Sequence, residues 1–113
     1  MDDLKQEKAK AFAVRIVRLC KSLNDKKESV FSNQILRSGI SIGANLAEAE
    51  FAQSKDDFIH KINIALKEAN ETKYWLALFF ETETITQEQY TSLANDCNDI
   101  ISILVAVLKK LKT

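Results

Sequence analysis

The chain has 113 residues, of which 46% are hydrophobic and 28% charged, with no proline and only two glycines. That length supports one core rather than two, and the shortage of turn-forming residues argues for long helices over a sheet protein. Sixteen basic residues balance sixteen acidic ones, which weighs against a dedicated nucleic-acid binder.

Helix 1 runs from about Asp3 to Leu23, where Phe12, Ile16, Leu19 and Leu23 form an apolar stripe at helical spacing, widened by Ala13, Val17 and Cys20. A polar turn follows, from Asn24 to Glu28. Ser29 is a candidate cap for helix 2, which carries Phe31, Ile35, Leu36, Ile40, Ile42 and Leu46 and is expected to end near Gln53. Ser54 to Asp57 resembles a capping box with an aspartate in place of Glu or Gln. It opens helix 3, whose inward or partly inward positions are Phe58, Ile62, Ala65, Leu66, Ala69, Leu76 and Phe80, and which ends near Glu83. Thr86 to Gln89 is a second capping box. It opens helix 4, with Tyr90, Leu93, Cys97, Ile100, Ile101, Leu104, Leu108 and Leu111. Four amphipathic helices with short connections predict an all-α, antiparallel up-down-up-down four-helix bundle, one domain spanning 1–113.

The N-terminus is charged and lacks a secretory apolar region, and no apolar run is expected to reach membrane-spanning length. The expectation is a cytoplasmic protein with no membrane partner. Cys20 and Cys97 then read as reduced, buried apolar residues.

The segment from Arg37 to Glu48 is the most informative. Gly39, Gly43 and Ala47 recur every four residues, so on a helix they form a nearly bare stripe that lets a second backbone approach. Ser38, Ser41 and Asn45 lie beside it and need hydrogen-bond partners if buried. Asn45 and Glu48, three apart, can face one side, with Arg37 about three turns earlier. Asn45 is expected to satisfy groups on a neighbouring helix. Glu48 is expected to meet a basic residue, Arg15 or Arg18 of this or an adjacent chain, with a solvated Glu48 as the alternative.

Catalytic chemistry finds little support. His60 is the only histidine, which excludes the two Glu-x-x-His motifs of a di-iron bundle and leaves no zinc ligand set. No cofactor is expected. Tyr74 and Trp75 read as core or interface packing, or as a stacking platform for bases. Lys5, Lys8 and Lys10 at the start of helix 1 and Lys109, Lys110 and Lys112 at the end of helix 4 share one end of the predicted bundle. They serve as helix-end charges or as an electrostatic patch for RNA, DNA or an acidic protein partner. Residues 1–27 carry eight Lys/Arg against four Asp/Glu, and residues 28–83 five against nine. A chain with a positive and a negative flank suits head-to-tail self-association.

The run Ser41-Ile-Gly-Ala-Asn-Leu-Ala-Glu48, with Ser54-Lys-Asp-Asp-Phe-Ile59 and Glu71-Thr-Lys-Tyr-Trp-Leu76, resembles the bacterial four helix bundle protein family. Its members include proteins encoded in intervening sequences of 23S ribosomal RNA genes. The resemblance extends from about Phe12 to Leu111. It implies a bundle that assembles as a ring-shaped homopentamer. A relative in the same fold, the accessory variability protein of diversity-generating retroelements, is basic and binds nucleic acid. The family commonly has proline where this chain has Gly43 and glycine where it has Ala49, the latter being the reason to extend helix 2 to Gln53. The leading expectation is a non-enzymatic oligomeric interaction protein. The alternative is a nucleic-acid-binding accessory factor using the lysine-rich end.

Overall fold

A computed structural model describes residues 3–27 and 29–112, leaving aside the side chains of residues 29–31 and 112. It contains helices α1 (Leu4–Asp25), α2 (Ser29–Ala49), α3 (Lys55–Glu81) and α4 (Gln87–Lys112). No strand occurs among the described residues. Each helix packs against its neighbours in sequence, and α4 closes back on α1 in a bundle of 45 × 22 × 21 Å. The antiparallel four-helix bundle expected from the apolar periodicity is therefore the fold.

The starts of three helices are set by local hydrogen bonds. The Asp3 carboxylate accepts from the Gln6 amide at 3.3 Å and caps α1. At α3, the Asp57 amide donates to Ser54 Oγ at 3.0 Å, while the Asp57 carboxylate accepts from the Gln53 amide. At α4 the box is fully reciprocal between Thr86 and Gln89. Ser29 is the first residue of α2 rather than a residue before it, and its side chain lies outside the described set, as does that of Phe31.

Helix 2 ends at Ala49, not near Gln53. The Phe51 and Ala52 amides turn back to the carbonyls of Glu48 and Ala49, and Gln53 is already committed to the cap of α3. The missing glycine at Ala49 is thus overridden by the next helix's start signal. Two other turns place non-glycine residues in the left-handed region, Lys27 at φ 64° and Glu83 at φ 59°.

The core is built from Phe12, Ile16 and Leu23 of α1, Ile35, Ile42 and Leu46 of α2, Ile62, Leu76 and Phe79 of α3, and Ile100 and Leu104 of α4. Phe79 rather than Phe80 fills the interior. Phe80 turns outward and stacks on Tyr90 with ring centroids 4.8 Å apart. Over a helix of 27 residues, a period of 3.6 leaves two adjacent aromatics ambiguous, and packing decides between them.

One expectation about hydropathy is corrected. By length and composition alone, Gln87–Leu111 of α4 is apolar enough to cross a bilayer. Its few charges are diluted by Ser, Asn and Cys. Core helices of bundles meet the same description, and the α4 stripe of Leu93, Cys97, Ile100, Leu104 and Leu108 is buried here.

Candidate functional site

Residues 37–48 form a joint that ties α2 to both neighbours. Toward α1, Gly39 lies under Ile16: a Cβ there would meet Ile16 Cγ2 at 2.9 Å. Gly43 lies over Ala9, and a Cβ there would meet the Ala9 Cβ at 3.7 Å, an ordinary contact. The bare stripe expected from the spacing therefore does bring two helices together. Toward α3, the buried hydroxyls of Ser38 and Thr72 share a hydrogen bond of 2.8 Å.

The charged members of the motif also face α3. Arg37 spans Glu68, at 3.0 Å, and Glu71, which also accepts from Trp75 Nε1 at 3.0 Å. The Trp75 hydrogen bond, then the Arg37 guanidinium, hold the Glu71 carboxyl below the usual carboxylate range. Glu48 accepts from Lys61 of α3 at 2.7 Å. It thus has a basic partner, and within the chain that partner is not Arg15 or Arg18: Arg15 reaches Asp96 and Ser92 of α4. Helix 2 turns this face to α3, and a guanidinium on α1 lies on the other side. Asn45 does not reach a neighbouring helix as expected. Its amide donates to the Ser41 carbonyl of its own helix at 2.9 Å, one turn back.

Tyr74 and Trp75 meet edge to face with centroids 5.3 Å apart. Trp75 is half-buried and committed to Glu71, while Tyr74 stands outside at 61% exposure. They do not present two parallel ring faces of the kind on which bases stack.

The lysines at the α1/α4 end are partly neutralised. Lys5 pairs with Asp3 at 3.0 Å, and Lys8 faces Asp99 at 4.0 Å. Lys109 and Lys110 are exposed on the last turns of α4, and the side chain of Lys112 lies outside the described residues. Lys10 is elsewhere. It stands with Arg18 and Lys21 along the outer face of α1, and among the described residues none of the three has a carboxylate within salt-bridge distance. Unpaired cations thus run along the side of α1 as well as at the α4 end, where Lys109 has no carboxylate within salt-bridge distance among the described residues. Three cations at positions 10, 18 and 21 share one helix face, a signal present in the sequence but masked by the many lysines around it.

No three His, Cys, Asp or Glu side chains among the described residues converge as metal ligands. Burial pushes both thiols up to about 11. Cys20 donates to the Ser32 carbonyl and Cys97 to the Ala69 carbonyl, so both serve the core.

Residues 4–106, including the whole joint, match the 23S rRNA-intervening sequence proteins. The chain belongs to that family. A solved structure from Bacteroides thetaiotaomicron, described as a protein with unknown function from the S23 ribosomal protein family, is similar at 59% identity. The similarity covers 94% of this chain and 99% of that one, with a TM-score of 0.92. No curated protein matches. The 23S rRNA-intervening sequence family is one of unknown function, and no enzymatic family is indicated.

Proposed function

We propose that this chain is a non-enzymatic, homo-oligomeric interaction protein acting in the cytoplasm, assembled as the ring-shaped pentamer its family resemblance implies. One observation carries the reading. Residues 100–108 of α4 are apolar in every position but Ser102; Ile100, Leu104 and Leu108 are buried, Ile101 and Val107 pack half-buried against the core, and Ile103 and Val105 are left half-buried beside an exposed Ala106. A helix that is hydrophobic all round belongs inside a larger body. Another copy of the chain supplies that body without a foreign partner. Light scattering coupled to size exclusion is expected to give about five times the 12.8 kDa chain mass. A mass equal to one chain across the accessible concentration range would overturn the reading.

A second reading, RNA or DNA binding, is favoured by the unpaired Lys10, Arg18 and Lys21. Its expected signature is a mobility shift with structured RNA that weakens steeply with salt, since phosphate contacts release counterions. Reversing those three charges should abolish it.

A further inference from the structure

Along the outer side of the bundle, a hollow of about 270 Å³ between α1 and α2 adjoins a second of about 360 Å³ formed along α1 alone, and the two share Lys10 and Ala13. Their floor is Ala13, Val14, Val17, Ile40, Gly43 and Ala44. Val14 and Ile40 are each 42% exposed, although both are branched aliphatics on otherwise polar faces. The cause is local: the bare stripe on α2 draws the two helices together, and its short side chains leave the wall between them low. Lys10 borders both hollows, while Arg18 and Lys21 border the adjoining one on α1.

The same chain carries a feature of the opposite sign. Phe51 is 86% exposed, more than any other large hydrophobic residue described. It projects from the turn between α2 and α3, which is held by its own amide to the Glu48 carbonyl and by the Asp57 carboxylate on the Gln53 amide. An aromatic on so braced a turn loses little freedom when it is buried. Exposed carboxylates, Glu50 and Asp56, flank it. A hydrogen bond with Asp3 raises Glu50 above its ordinary range, with Lys5 acting in the opposite sense.

We propose that the basic-rimmed apolar groove between α1 and α2 receives Phe51 of a second copy of this chain, with Glu50 and Asp56 of that copy set against Lys10, Arg18 and Lys21. The inference rests on the homo-oligomeric reading above and names one contact of that assembly, apart from the α4 surface. A nucleic-acid backbone would use the cations but gains nothing from the apolar floor. An aromatic anchor ringed by carboxylates uses both. The contact joins two different surfaces, so it repeats from copy to copy and makes a ring where the rotation closes.

Complementation tests it. Phe51→Ser removes the anchor and keeps the groove. Val14→Glu, with Ala44→Glu as a second groove variant, blocks the groove and keeps the anchor. All three positions lie outside the core, so helical circular dichroism should be retained. Each variant alone is expected to sediment at one chain mass, while an equimolar mixture of an anchor variant and a groove variant forms a species of twice that mass, since one intact anchor and one intact groove remain. Wild-type-like assembly of Phe51→Ser or of both groove variants, or a mixture that stays at one chain mass, overturns the docking contact while an assembled wild type leaves the homo-oligomeric reading standing. A wild type that is itself monomeric overturns both. Groove variants that assemble normally but lose a salt-sensitive RNA shift would assign the groove to nucleic acid and overturn the proposal.

Discussion

The two glycines of α2 should respond in opposite ways to the same substitution. Alanine gains about 1 kcal/mol over glycine in a helix interior. At Gly43 the added methyl meets Ala9 at 3.7 Å, an ordinary contact, so Gly43→Ala should raise the melting temperature. At Gly39 it meets the fully buried Ile16 at 2.9 Å. Overpacking of that kind costs about 1–3 kcal/mol, so Gly39→Ala should lower stability or leave it level. Denaturant melts of both variants decide it, and equal shifts would refute the assignment of Gly39 to the tighter contact. The thiols give a second residue-scale expectation. With both raised to about 11 and buried, Cys20 and Cys97 should react with a thiol reagent at pH 8 only as fast as the protein opens. Fast labelling of the native protein would contradict that.

At the scale of the helices, the seam between α2 and α3 has an optical reporter, because Trp75 is the sole tryptophan. Glu71 is held below its ordinary value, first by Trp75 and then by Arg37. Its contribution to stability is therefore fully present above the unfolded carboxyl value near 4.5 and is lost as pH falls through the lower folded value. Tryptophan emission should change below about pH 4.5 while helicity persists, and Glu71→Gln should remove that transition. An unchanged profile in the variant would sink the attribution. Most of this level was readable beforehand. Four helices, two capping boxes and the close-approach stripe follow from spacing and from residues that must hydrogen-bond locally. What was not readable depends on which way a helix is rotated: Phe79 against Phe80, Lys61 rather than Arg15 or Arg18 opposite Glu48, and the self-directed amide of Asn45. Those outcomes turn on tens of degrees about a helix axis. The end of α2 was missed for another reason, since the cap that claims Gln53 belongs to the following helix.

Across the whole molecule, the free charge is not gathered at one end. The lysines expected to gather there are partly paired, and the unpaired Lys10, Arg18 and Lys21 lie along α1 beside Val14. That shift could not be read from the topology alone, because it depends on Asp3 and Asp99 reaching Lys5 and Lys8. The four seams are also unequal. Three join helices adjacent in sequence. The fourth, α1 against α4, is the thinnest, leaves a small hollow of about 130 Å³ beside Phe12, and is bridged at its surface by Arg15 with Asp96 and Lys8 with Asp99. The consequence concerns the order of events in folding. Local seams cost little loop entropy and form early, whereas closing the chain's first helix on its last comes late. Contacts formed after the transition state change the unfolding rate and leave the folding rate nearly alone. In stopped-flow chevrons of protein kept below its assembly concentration, Arg15→Ala should therefore hasten the escape from the native state, raising the unfolding limb while the refolding limb stays in place, whereas Ile42→Val, at a position buried on α2 between the two helices it joins in sequence, should slow refolding.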